Sequence, residues 1–107
     1  MLMVTTPFLE GKKIVEYKGP VFHQVVRGFA LGQGFFDGLK AIGGERSSGH
    51  EQLIAQIRSE VLEELRREAE ATGANAVVGM IIDIDPVSLR DRPMILAKAA
   101  GTAVVVA

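Results

Sequence analysis

Between positions 53 and 69 apolar residues return at helical intervals, and between 76 and 85 they alternate one by one. That change of period, from 3.6 to 2, organises the chain. Leu53, Ile54, Ile57, Val61, Leu65 and Ala69 form one stripe, widened by Leu62, while Gln56, Ser59, Glu63, Arg66, Arg67 and Glu70 cover the other side. Ser48 and Glu51 have capping-box spacing and Gly73 supplies a left-handed exit, so the pattern predicts one long helix, Ser48 to Thr72. The following strand, Ala76 to Asp85, is expected to turn Val78, Met80, Ile82 and Ile84 toward that helix. Val77, Gly79, Ile81, Asp83 and Asp85 then face away.

A polar connection from Pro86 to Pro93 leads to a second long strand, Met94 to Val106, where Gly101 marks a bulge or a close backbone approach. Before the helix, short strands are predicted at Leu2 to Thr6, Lys13 to Tyr17 and Val21 to Phe29, divided by Pro7, Gly11, Gly19 and Pro20. The third places Val21, His23, Val25 and Arg27 on one side and Phe22, Gln24 and Val26 on the other. Phe35, Leu39 and Ile42 recur at helical spacing, predicting a short helix from Gly34 to Ile42. Together these elements predict an α+β fold, a two-layer sandwich in which an antiparallel sheet carries one long and one short helix.

The 107 residues allow one core, and one domain spanning 1–107 is the expectation. Val77, Ile81 and the run Val104 to Val106 exceed what one helical stripe covers, so part of this surface is expected to meet another copy of the chain. A net charge of -1 offers no positive field for nucleic acid. With no basic leader before an apolar run and no apolar stretch long enough for a bilayer, the reading is a cytoplasmic protein with no membrane partner.

The absence of cysteine removes disulfides, thiolate catalysis and sulfur-ligated metals, leaving oxygen and imidazole chemistry. Gly32, Gly34 and Gly38 imitate a dinucleotide fingerprint, but the third glycine falls one place late and no βαβ unit follows. His50 and Glu51 begin HEQLI, where Ile54 stands in place of the second zinc-binding histidine. Asp83 and Asp85 share a strand face about 7 Å apart, a spacing that suits one hard cation if other oxygens join them. His23 lies mid-strand without a second histidine nearby in sequence. Symmetric copies around an axis would bring such residues together.

The strings TTPFLEGKKIVEYKGPV (5–21), GANAVVG (73–79), DID (83–85) and GTAVVV (101–106) resemble the YbjQ-like family, whose label refers to heavy-metal binding. The resemblance covers nearly the whole chain. It implies a small subunit with a dodecin-subunit-like β-α-β-β core and extra short strands that join neighbours in a homopentamer. Pro86 and Val87 follow the DID string here, where the family tends to continue with tyrosine and glutamate.

These observations lead to a non-enzymatic homo-oligomer holding a divalent metal ion or small ligand between subunits, with His23, His50, Glu51, Asp83 and Asp85 as candidate ligands. The alternatives are an enzyme using Asp83, Asp85 and Glu51 for acid-base chemistry, and a scaffold that binds protein alone.

Overall fold

The computed structural model describes residues 1–28 and 46–107, with the side chains of residues 46–50 outside that description. The predicted short helix, the three glycines of the false fingerprint and the side chain of His50 all lie outside the described residues. Four strands and one helix are described: β1 (Leu2–Met3), β2 (Ile14–Gly28), α1 (Arg46–Ala71), β3 (Ala76–Leu89) and β4 (Arg92–Val106). The strands form one sheet in the order β1-β3-β4-β2, and α1 covers one of its faces. The fold is therefore α+β in two layers. The sheet is mixed rather than wholly antiparallel, because the two-residue β1 lies parallel to β3.

The helical stripe packs as its spacing requires. Ile57, Val61, Leu65 and Ala69 are buried, and Leu53, Ile54 and Leu62 pack at the margins. They meet Val21 and Val25 of β2, Val77 of β3, and Ile95, Ala97, Ala99 and Ala103 of β4. Small residues down the central strand let the helix approach closely while its own leucine and isoleucine fill the gap. At the far end Gly73 adopts φ +88 and donates its N–H to the Glu70 carbonyl, closing the helix as predicted. The helix is described from Arg46, two residues before Ser48. Boundaries shift by this much wherever a terminal turn extends past its strongest sequence signal.

Two strand predictions are corrected. The segments expected at 13–17 and 21–29 are one strand, β2, running through Gly19 and Pro20 with extra residues opposite β4 near Val15 and Lys18. Because β2 lies at the sheet edge, the missing N–H of Pro20 costs no ladder hydrogen bond, and Gly19 takes φ +114 at the irregularity. The connection expected from Pro86 to Pro93 is likewise strand. Leu89 pairs with Arg92, and only Arg90 and Asp91 turn, with φ of 52 and 61. Positive φ at both central residues is the hairpin turn whose twist matches its strands.

The third correction concerns which way the valines face. Val78 pairs with Thr102 but Ile81 pairs with Ala100, so β3 holds one residue more than β4 between those points. The bulge lies at Gly79, φ +61, and Met80. Val77 therefore points under α1 and Val78 to the opposite side, the reverse of strict alternation, while Ile82 and Ile84 face the helix as predicted. Gly101 of β4 sits across from the bulge, where an added Cβ would stand 2.6 Å from Val77 Cγ1. The close approach expected at Gly101 is present; the extra residue belongs to its neighbour.

The amino-terminal arm covers the rest of the valine surface. Val4 donates to the Val77 carbonyl and accepts from Met80, and Gly79 donates to Thr6. The chain then crosses the second sheet face, where Val4 and Leu9 pack with Ile14 and Val106 over Ala76, Val78 and Val104. Val77 and Val104 are both 0% exposed within one chain. The expectation that these two valines need a partner is overturned, because the arm and the helix shelter them. Ile81 remains 62% exposed.

Candidate functional site

Beyond the arm, the second face of the sheet is open among the described residues, and strand register arranges it in rows. Phe22, Ala100 and Ile81 form one row across β2, β4 and β3; Gln24, Lys98 and Asp83 form the next; Val26, Leu96 and Asp85 form the third. Phe22 is 53% exposed, so two large apolar side chains flank the small Ala100 in plain contact with water. Between them lies a shallow cavity of about 140 Å³, lined by Phe22, Ile81, Asp83, Lys98, Ala99 and Ala100. A wider concavity, about 600 Å³, lies at the hairpin turn against Leu89, Arg90, Arg92 and Met94. Its described lining comes from one hairpin.

Lys98 and Asp83 occupy directly opposed positions on adjacent strands. They are not joined by an ion pair, although seven such pairs occur among the described residues. Lys98 is half-buried and Asp83 exposed. A positive and a negative group thus stand at one end of an apolar cup, neither hydrogen-bonded through its side chain to another described residue.

The structure separates the residues that the sequence singles out. Asp83 and Asp85 share the open face, as their spacing predicts. His23 faces the helix instead, where its Nδ1 lies 3.0 Å from Glu68 Oε1. Glu51 is exposed on α1. No group of three histidine, aspartate or glutamate side chains suited to a metal ion occurs among the described residues. Among the described residues, only the two aspartates of the candidate ligands come together.

His23 belongs to a helix-to-strand ladder. Arg27, four residues further along β2, donates to Glu60 of α1, and His23 meets Glu68 eight helical residues later. Four strand residues advance about 13 Å and eight helical residues about 12 Å, so the two spacings match. On the outer side of the helix, Arg66 bridges Glu63 and Glu70. The Glu63 carboxyl is held below its ordinary range, chiefly by hydrogen bonding to Arg66, whose own guanidinium is raised by the same bond.

Phe22, Ala100 and Lys98 were not singled out from the sequence as site residues, and Ile81 only as surface expected to meet another copy. Their shared site follows from pairing of residues far apart in the chain, Ile81 and Phe22 both with Ala100, although the period-two alternation already placed Ile81 with Asp83.

A family model described as "Putative heavy-metal-binding" matches residues 1–107. The chain belongs to this YbjQ family. Among its relatives is a UPF0145 protein of Pasteurella multocida, 46% identical over 106 residues, which are 99% of each chain. A UPF0145 protein of Clostridium kluyveri is 42% identical over the same share of both chains. A solved structure of a protein of unknown function from Pediococcus pentosaceus, assigned to the DUF74 family, superposes with a TM-score of 0.69. It covers 100% of this chain and 98% of its own at 15% identity, a likeness of fold alone. No described helix is long and apolar enough to cross a membrane.

Proposed function

We propose that the chain is a non-enzymatic, homo-oligomeric binding protein, five copies in the assembly that the family resemblance implies, with a small-ligand site on the open sheet face. The observation that carries this reading is the row Gln24, Lys98 and Asp83 beside the exposed row Phe22, Ala100 and Ile81. Apolar walls with a few convergent polar groups are the usual make-up of a ligand site. Exposed apolar side chains on a sheet face also favour association. Binding is preferred to catalysis because Asp83 and Asp85 are exposed to water, whereas acid-base catalysts depend on burial or close charges to tune them.

The second reading is a metal ion held by Asp83 and Asp85 with further oxygens from a neighbouring copy, which the family description favours. An all-oxygen donor set suits a hard cation and not a thiophilic one. Lys98 beside Asp83 opposes it, since a fixed positive charge repels a bare cation. Light scattering and elemental analysis of the natively purified protein test both readings. A mass several times 11.5 kDa without stoichiometric metal supports the first; metal lost on replacing both aspartates by asparagine supports the second. A concentration-independent monomer rejects the assembly.

A further inference from the structure

We propose that the cup over Ala100 takes an apolar α-amino acid, with its carboxylate on Lys98, its ammonium on Asp83 and its side chain between Phe22 and Ile81. This rests on the assignment of ligand binding to the open face and names the class of ligand.

Size comes first. The cavity of about 140 Å³ equals the liquid volume of roughly five water molecules and is well below the roughly 300–1,000 Å³ of sites that engulf drug-sized ligands. A nucleotide or a folded cofactor is excluded, and a molecule of about nine heavy atoms fits in part, with the rest open to water.

Shape follows from register. Adjacent strands lie about 4.8 Å apart, so the Phe22 and Ile81 backbones stand about 10 Å from one another with only a methyl group between them. A large-small-large row makes a slot, and its width suits one branched aliphatic or flat side chain lying over Ala100.

Charge selects the head group. Lys98 and Asp83 are neighbours of opposite sign that do not pair with each other, so a ligand carrying both charges can satisfy both. A simple carboxylate leaves Asp83 beside its own negative charge, and a simple amine leaves Lys98 beside a positive one. An α-amino acid holds both charges on groups bonded to one carbon, closer together than adjacent strands, so the long Lys98 side chain and Asp83 would converge on it from either side. Gln24, on the far side of Lys98 in the same row, offers its amide N–H as one more donor to the carboxylate.

The test is titration of L-leucine into the full chain, followed by amide NMR shifts, with isovalerate and isopentylamine as single-charge controls. The expected result is saturable shifts at Phe22, Ile81, Lys98 and Ala100 with weak, roughly millimolar affinity, as suits so few atoms on an open surface. Lys98→Gln and Asp83→Asn, both exposed-face replacements of similar shape, should each weaken leucine about three- to ten-fold, and both controls should bind more weakly than leucine. Absence of saturable shifts in the wild type, or undiminished binding in both charge variants, overturns the proposal. Light scattering on the same samples separates the two readings. An oligomer that ignores leucine overturns the ligand assignment alone, and a monomer that binds it overturns the assembly alone.

Discussion

His23 on β2 and Glu68 on α1 meet at 3.0 Å across the seam between sheet and helix, each about one-third exposed. A pair so placed is partly screened by water and should fasten the seam only lightly. A double-mutant cycle of His23→Ala and Glu68→Ala, read by urea unfolding, should give a coupling energy of about 1 kcal/mol or less. A coupling several times larger would show that the seam, and not the core stripe, holds the helix in place.

Gly101 and Val77 leave no room for one more carbon. With a new Cβ 2.6 Å from Val77 Cγ1 and 3.3 Å from Met80 Cα, Gly101→Ala should destabilise the fold by about 1–3 kcal/mol. Val77→Ala should cost less in that background than in the wild type, because the nearest of the three close contacts is with the valine methyl. If the single variant unfolds at the wild-type denaturant midpoint, the strands are further apart at the bulge than described.

The hairpin turn offers the opposite effect. Asp91 holds φ 61, a conformation that glycine adopts without penalty. Asp91→Gly should raise stability by roughly 0.5–1 kcal/mol, measured as a higher urea midpoint with an unchanged slope. A fall in stability would mean that the Asp91 carboxylate makes a contact that outweighs its backbone strain.

Acid should loosen the helix surface through Glu63. Its folded pKa lies below 4.5, so its stabilising effect is complete above that value and disappears as pH falls through the lowered value. The wild type should exceed Glu63→Gln in stability at neutral pH, and the gap should close in the range below pH 4.5. A gap that persists at pH 2 would assign the effect to packing instead of charge.

The long helix was legible because one period governs it throughout, from Leu53 to Ala69, and its buried stripe is the one the spacing names. The strands were harder because local breakers compete with pairing. Gly19 and Pro20 read as a boundary, yet an edge position removes the objection to proline and β2 continues past both. Strict alternation misplaced Val77 and Val78 because the offset at Gly79 and Met80 becomes visible only against β4. The open-face site was half legible for the same reason. Alternation put Asp83 and Asp85 together, but Phe22 and Lys98 join them through contacts that no local window contains. His23 was read on the same strand side as Val21, Val25 and Arg27, but which face that side meets was not legible, and its glutamate partner lies 45 residues away.

The extra residue at Gly79 and Met80 matters less to the sheet than to the arm. Removing Met80 would set Val78, Gly79 and Ile81 opposite Thr102, Gly101 and Ala100 one for one, with Val78 and Ile81 still on the same side, so Asp83 and Asp85 would keep their face and Ile82 and Ile84 the helix side. What it would take away is a grip: the N–H groups of Gly79 and Met80 hold Thr6 and Val4, and a ladder made regular there presents one donor fewer to the arm. Loosening of the first residues, read as faster amide exchange at Val4, is the expected mark of that deletion.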